Sequence, residues 1–185
     1  MKPKQVYVIT GGPGFGKSRL IEALSAAGYY CSGEFARGLI EDQTDIDGEI
    51  LPWKNPKLFQ QEVLKRRIAF YESVDLGTIA FADRGIPDQL AFARYKGFGT
   101  PQILTDHAGK FRYALQVFVT PPWPAIYTTD HIRKETYEEA VKIHQIVVET
   151  YRALGYEIIE LPLLPVEERV KFILKTIRKK QKANK

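Results

Sequence analysis

The run Gly11-Gly12-Pro13-Gly14-Phe15-Gly16-Lys17-Ser18 satisfies the pattern G-x-x-x-x-G-K-[S/T] at every fixed position. Each residue type has a chemical use there. Glycines let backbone N–H groups turn inward and approach an anion closely. A helix starting at the loop adds the partial positive charge of its N-terminus. The Lys17 ammonium can reach the β- and γ-phosphate oxygens of a nucleoside triphosphate, and the Ser18 hydroxyl suits Mg²⁺. Gly11, Gly12, Pro13, Gly14, Phe15, Gly16, Lys17 and Ser18 thus form a candidate Walker A loop for Mg·ATP.

Other chemistry-bearing residues stand at intervals along the chain. Asp83-Arg84-Gly85 follows a short apolar run. An aspartate so placed can hold a Mg²⁺-bound water or take the proton of an attacking hydroxyl, and Arg84 can fork onto phosphate or carboxylate. Glu34 and Arg37 are one helical turn apart and can face a common cleft. The proline-stiffened stretch Thr120-Pro121-Pro122-Trp123-Pro124 leads to Arg133 and Lys134, which suits a lid over residues 120–136. Its Arg133 would offset charge building on a transferred phosphoryl group. Leu161-Pro162-Leu163-Leu164-Pro165 could wall a nucleobase. His107, His131 and His144 show no metal-ligand spacing, Cys31 reads as a small buried residue, and Arg66 and Arg67 read as solvated positions in mid-helix.

These residues need a scaffold that brings them together, and the hydrophobic pattern supplies one. Short apolar runs with little alternation at 5–10, 29–31, 78–82, 114–119 and 156–160 read as parallel strands covered on both faces. Helices are expected between them: 17–27, stopped by Gly28; 56–74, opened by Asn55-Pro56; one from Pro87 to before Gly97; one from Pro101; and 137–154, with Thr136 and Glu139 as a capping box and Gly155 as the stop. Strands alternating with helices imply an α/β fold, a parallel sheet with helices on both faces in three layers. Ligands of such sheets sit beyond the carboxyl ends of the strands, where Ser18, Glu34, Asp83 and the 120–136 segment all fall.

The bulk numbers narrow the classes. A chain of 185 residues, 44% hydrophobic and 26% charged, suits one domain with a full core. One cysteine leaves no intramolecular disulfide and suits a reducing, cytoplasmic setting. No apolar run approaches the roughly 20 residues that span a bilayer. The net charge of +5 is local, because residues 171–185 hold seven basic residues and no acid, and subtracting them leaves −2 on residues 1–170. The expected organisation is one domain over 1–170 and a solvated basic tail over 171–185, with weak contact to anionic membrane as that tail's other use. Nucleic acid is disfavoured as a partner by the acidic body, and no N-K-x-D guanine signature is present. Oligomeric state is left open.

The assembled residues resemble a known family, the P-loop kinase-like ATPases grouped with the nicotinamide-riboside kinase domain of NadR. The likeness rests on Gly11–Ser18, Glu34-Phe35-Ala36-Arg37, Phe81-Ala82-Asp83-Arg84-Gly85, and Asp130 to Arg133 with the helix up to Gly155-Tyr156-Glu157. It implies a five-stranded P-loop NTPase sheet in the order 2-3-1-4-5, an ATP site with Mg²⁺ on Ser18 and Asp83, and phosphoryl transfer to a small-molecule acceptor. Carried over, Glu34 or Asp83 is the base, Lys17 and Arg133 clamp the transferred group, and Arg37, Arg84 and Asp88 are acceptor-side contacts. The alternative expectation is an ATP- or GTP-dependent switch, or slow NTPase, that acts through the acidic loop 42–47 or the basic tail on a protein or lipid partner.

Overall fold

The computed structural model describes residues 4–129, 132 and 135–183. Five parallel strands form one sheet: β1 (Gln5–Thr10), β2 (Tyr30–Cys31), β3 (Ile79–Asp83), β4 (Gln116–Val119) and β5 (Glu157–Glu160), in the order β2-β3-β1-β4-β5. The helices are α1 (Lys17–Ala26), α2 (Phe35–Asp45), α3 (Pro56–Ser73), α4 (Ile86–Tyr95), α5 (Gln102–Lys110), α6 (Tyr137–Ala153) and α7 (Val166–Ala183). The expected α/β class and strand order are both observed.

Side chains on β1 alternate between two cores, as the period of a strand requires. Val6 and Val8 join Ala80, Ala82, Val117 and Val119 under α3 to α6, through Leu64, Leu90, Leu104, Ile143, Val147 and Tyr151. Tyr7 and Ile9 join Phe81 and Phe118 on the other face, covered by Leu20 and Leu24 of α1 and Ile173 and Ile177 of α7. A smaller cluster of Leu39, Phe59 and Val63 fastens α2 to α3. With β1 central, its carboxyl end opens between those of β3 and β4, and that is where the glycine loop emerges.

Local signals mark five of the seven helices among the described residues; α2 and α7 are not among those expected. Asn55 accepts from the Leu58 N–H at 3.1 Å, and Thr136 and Glu139 exchange both capping-box bonds at 3.2 and 2.7 Å. β4 starts two residues later than expected, at Gln116, and β5 one residue later, at Glu157, because the Tyr156 N–H is taken by the Tyr151 carbonyl at the end of α6 at 3.1 Å.

Two expectations are corrected. The acidic stretch 42–47 is no loop over most of its length, since α2 runs to Asp45 and Asp42 pairs with Arg66 at 3.2 Å. The basic stretch is no solvated tail at its start either. The boundary at residue 170 falls inside α7, whose Ile173 and Ile177 are almost wholly buried. Apolar residues at four-residue spacing form one stripe that packs on the sheet, and the lysines take the outer side. Ile173→Ala should therefore destabilise the protein by about 2–5 kcal/mol in urea unfolding, whereas a mere appendage would lose nothing measurable.

Candidate functional site

The phosphate loop is held in shape by contacts that only glycine permits. Gly11 has φ 133°, and a Cβ there would lie 2.5 Å from the Thr120 carbonyl oxygen. Gly14 has φ 79°, and its Cβ would strike the Tyr127 ring at 2.5 Å. The first described part of the expected lid, with a short 3-10 turn over Pro124–Ile126, thus rests directly on the loop. Phe15 is fully buried and anchors the loop from below, among the rings of Tyr127, Tyr137 and His144. His144 is neutral there, since burial and then the Lys17 charge push it down to about 4. Lys17 is buried and its ammonium donates to the Gly12 carbonyl at 2.6 Å, so it lies folded along the loop. Ser18 is exposed at the first turn of α1.

Ser18 shares a cleft of about 600 Å³ with Glu34, Arg37, Glu41, Arg66 and Asp83. The fold thus brings together four expected residues from three separate stretches of chain. Asp83 ends β3, with its backbone N–H on the Ser32 hydroxyl at 2.8 Å. Its carboxylate is almost wholly buried, and one oxygen, Oδ1, has no hydrogen-bond partner. Burial, then the Glu34 carboxylate, push Asp83 up to about 6, against the pull of Lys17 and Arg84. A buried oxygen without a donor is costly unless something else occupies it. Asp83 and Ser18 line one cleft, and a carboxylate and a hydroxyl are the kind of oxygen ligand that Mg²⁺ takes. Arg37 pairs with Glu41 at 3.0 Å on the cleft wall.

Arg84 and Asp88 lie deeper. Arg84 adopts φ 66°, uncommon for a residue with a side chain. Its Nη1 donates to the Gly11 carbonyl at 2.9 Å and to Asp88 Oδ1 at 3.1 Å, while Nε faces Glu34 at 4.0 Å. Burial opposes its charge, but Asp88, Glu34 and Asp83 outweigh burial and raise its pKa. Asp88 is fully buried and accepts from the Thr10 hydroxyl, Arg84, the Gly85 N–H at 2.8 Å and the Tyr151 hydroxyl at 2.6 Å. The expected substrate contact at Asp88 is corrected accordingly. Both its oxygens are occupied by protein, and its work is to position Arg84 and the phosphate loop. Arg133 and Asp130 lie outside the described residues.

Two arginines escaped the reading of the sequence. Arg66 and Arg67 both read as solvated in the sequence, yet only Arg66 is at the surface; Arg67 is 5% exposed, with Nε and Nη1 unpartnered. Arg169, in the first turn of α7, is 3% exposed with Nε and Nη2 unpartnered. Its Nη1 comes within 3.3 Å of where a Gly16 Cβ would stand, and its guanidinium faces the Trp123 ring at 5.9 Å. The signal available was its place one turn beyond the 161–165 segment expected beside a base.

A glycine loop between β1 and α1 of a parallel 2-3-1-4-5 sheet, with an acid ending β3, defines a P-loop fold of the nucleoside- and nucleotide-kinase type. The chain belongs to the family described as AAA domain, whose model matches residues 6–169. No curated protein matches the sequence. Among solved structures it is similar to deoxyadenosine kinase from M. mycoides with bound dATP, at 15% identity and TM-score 0.62 over 94% of this chain and 99% of that one. It is also similar to shikimate kinase from Acinetobacter baumannii in complex with shikimate, at 15% identity and TM-score 0.62 over 96% of this chain and 94% of that one. NadR in complex with NR matches at 16% identity and TM-score 0.63, over 95% of this chain and 51% of that one. At these identities the likeness establishes the fold.

The two buried aspartates act oppositely on stability. Asp83 has a folded-state pKa near 6 against 3.8 for the free group, so between about pH 4 and 6 the folded state keeps a proton that the unfolded state has released. Stability falls over that window and is level above it. Asp88 is depressed despite its burial, chiefly by Arg84 and Arg67, so its contribution is present above the ordinary value and lost below it. Urea midpoints of the nucleotide-free protein should fall from pH 4.5 to 6.5. Asp83→Asn should remove that fall and stabilise the protein at pH 7 by up to roughly 3 kcal/mol; a pH-independent gap between the two proteins would refute the assignment.

Proposed function

We propose that the protein is a small-molecule kinase that moves the γ-phosphoryl group of Mg·ATP to an acceptor hydroxyl or phosphate. The observation that carries this reading is that Asp83, a buried carboxylate with one unpartnered oxygen, lines the same cleft as Ser18 and Glu34. The loop N–H groups and Lys17 hold the β- and γ-phosphates. Ser18 and Asp83 would hold Mg²⁺, which offsets phosphate charge when bound. Asp83 or Glu34 takes the acceptor proton as its oxygen bonds to the γ-phosphorus; the bond from that phosphorus to the bridging oxygen breaks, and ADP leaves. Arg133 is proposed to close over the transferred group, and Arg37 to contact the acceptor. Arg84 ties the loop to this side of the cleft through Gly11 and Glu34.

On the opposite side of the loop, Arg169 and Trp123 are proposed to flank the base. A guanidinium with unmet donors beside an indole can pair with ring nitrogens while the indole stacks. Two of the fold relatives named above are kinases, for deoxyadenosine and for shikimate, which supports the transferase reading over a nucleotide switch.

Turnover tests the proposal directly. Mg·ATP incubated with single nucleosides, nucleotides and vitamin precursors should yield ADP well above the background rate with at least one of them. Asp83→Asn should abolish that stimulation. ADP release that no acceptor stimulates, but that a protein or lipid partner does, would leave the kinase reading without support and favour the switch.

The two halves of the nucleotide site separate by ligand. Lys17→Ala should weaken both ATP and inorganic tripolyphosphate in calorimetry. Arg169→Ala should weaken ATP about tenfold and spare tripolyphosphate. Equal losses for both ligands in Arg169→Ala would make Arg169 a phosphate contact instead.

A further inference from the structure

The outer face of α7 carries charge that the rest of the fold does not use. Val166, Val170, Ile173 and Ile177 turn one side of this helix into the core shared with α1. Lys171, Lys175, Arg178 and Lys182 follow one another at spacings of four, three and four residues. At 3.6 residues per turn they form a single row opposite the buried side. Lys179 lies beside that row, and all five are exposed. Lys171 pairs with Glu168 at 2.7 Å. Lys175, Arg178, Lys179 and Lys182 make no ion pair or hydrogen bond among the described residues.

The helix does not need this row for its own stability. Cations favour the carboxyl end of a helix only in its last turn, which accounts for Lys182 but not for Lys175 or Arg178. Like charges one turn apart weaken a helix. Residues 1–170 sum to −2, so the positive charge of the chain is concentrated on this one face. Apolar side chains frame it. Phe172 is exposed three residues before Lys175 and seven before Lys179, hence on their side of the helix, and Leu163 and Leu164 are exposed just ahead of it. Such a composition suits a bilayer, where apolar side chains enter the acyl boundary and cationic heads stay among the headgroup phosphates. A nucleic acid would take the cations but offers nothing to two exposed leucines, and that decides between the two polyanions.

We propose that the outer face of α7, with Leu163, Leu164 and Phe172, docks the protein on a membrane surface rich in anionic phospholipid. The contact is peripheral, since no described helix is long and apolar enough to cross a membrane. Leu163 and Leu164 follow β5 in a sheet whose strands are all parallel, so they stand at the end where the phosphate loop emerges from β1. Docking brings that end towards the bilayer. The inference does not depend on the phosphoryl-transfer reading, and its test uses no nucleotide.

Vesicle sedimentation with the full chain compares phosphatidylcholine alone with phosphatidylcholine containing one-third phosphatidylserine. The protein should partition onto the mixed vesicles and not onto the neutral ones, and half-molar salt should weaken binding about tenfold. Lys175→Gln, Arg178→Gln, Lys179→Gln and Lys182→Gln combined should weaken partitioning roughly a hundredfold, with a melting temperature unchanged or higher because these side chains are exposed. A control with the same net charge, Lys57→Gln, Lys65→Gln, Lys96→Gln and Lys110→Gln combined, should bind nearly as the wild type does. Leu163→Ser with Leu164→Ser should cost about fivefold and leave the salt dependence intact. Equal binding to both kinds of vesicle, equal losses in the two charge variants, or wild-type partitioning of the leucine variant would each overturn the inference. So would a short DNA duplex that strips the protein from the vesicles at equal phosphate concentration, which would make the row a nucleic-acid contact.

Discussion

The carboxylate of Asp88 is the point on which the geometry of this protein turns. It takes hydrogen bonds from β1 through Thr10, from the turn after β3 through Arg84 and Gly85, and from α6 through Tyr151. Arg84 passes the connection on to the Gly11 carbonyl, so the phosphate loop is tied to the start of α4 across the top of the sheet. Each link fixes a neighbour. Arg84 needs a left-handed backbone to reach both partners, and Gly85 must lack a side chain because a Cβ would lie 2.7 Å from the Tyr151 hydroxyl. A buried carboxylate with every lone pair engaged is a rigid joint, since removing one donor exposes the full desolvation penalty.

Around that satisfied centre the unsatisfied groups gather. Asp83, Arg67, Gln89 and Arg169 all bury polar atoms without partners. Of these, Asp83 lines the cleft with Ser18, and Arg169 lies beside Gly16 of the phosphate loop. The protein thus spends stability where ligands would recover it. The Asp88 network carries the opposite balance and keeps the frame from collapsing onto those vacant valences.

Much of this frame was readable in one dimension. The glycine loop, the capping box at Thr136 and Glu139, the Asn55 cap and the glycine stops are local devices, so their residues lie within a few positions of each other and the chain spells them out. The strands were legible because a parallel sheet covered on both faces demands short unbroken apolar runs. Failures came where a residue's environment is set by distant chain. Asp88 reads as an acceptor-side contact in the sequence, but its partners Thr10 and Tyr151 are 78 and 63 residues away. Arg66 and Arg67 are adjacent and identical in type, and only the rotation of α3 against α4 puts one on the surface and the other inside.

The sequence by itself therefore determined the class of the site: a phosphate loop at the carboxyl end of a parallel sheet, with Glu34 and Asp83 beyond the next strands. That much follows from short-range pattern and from the rule that such sheets bind ligands at their carboxyl edge. Tertiary structure alone decided which charges face the ligand and which are consumed by the fold. Charged residues carry no mark of their burial, and whether a guanidinium meets water, a carboxylate or nothing depends on what the other layers bring against it. Asp88 became a structural joint, and Arg67 and Arg169 became open valences, only once α4, α6 and α7 had packed.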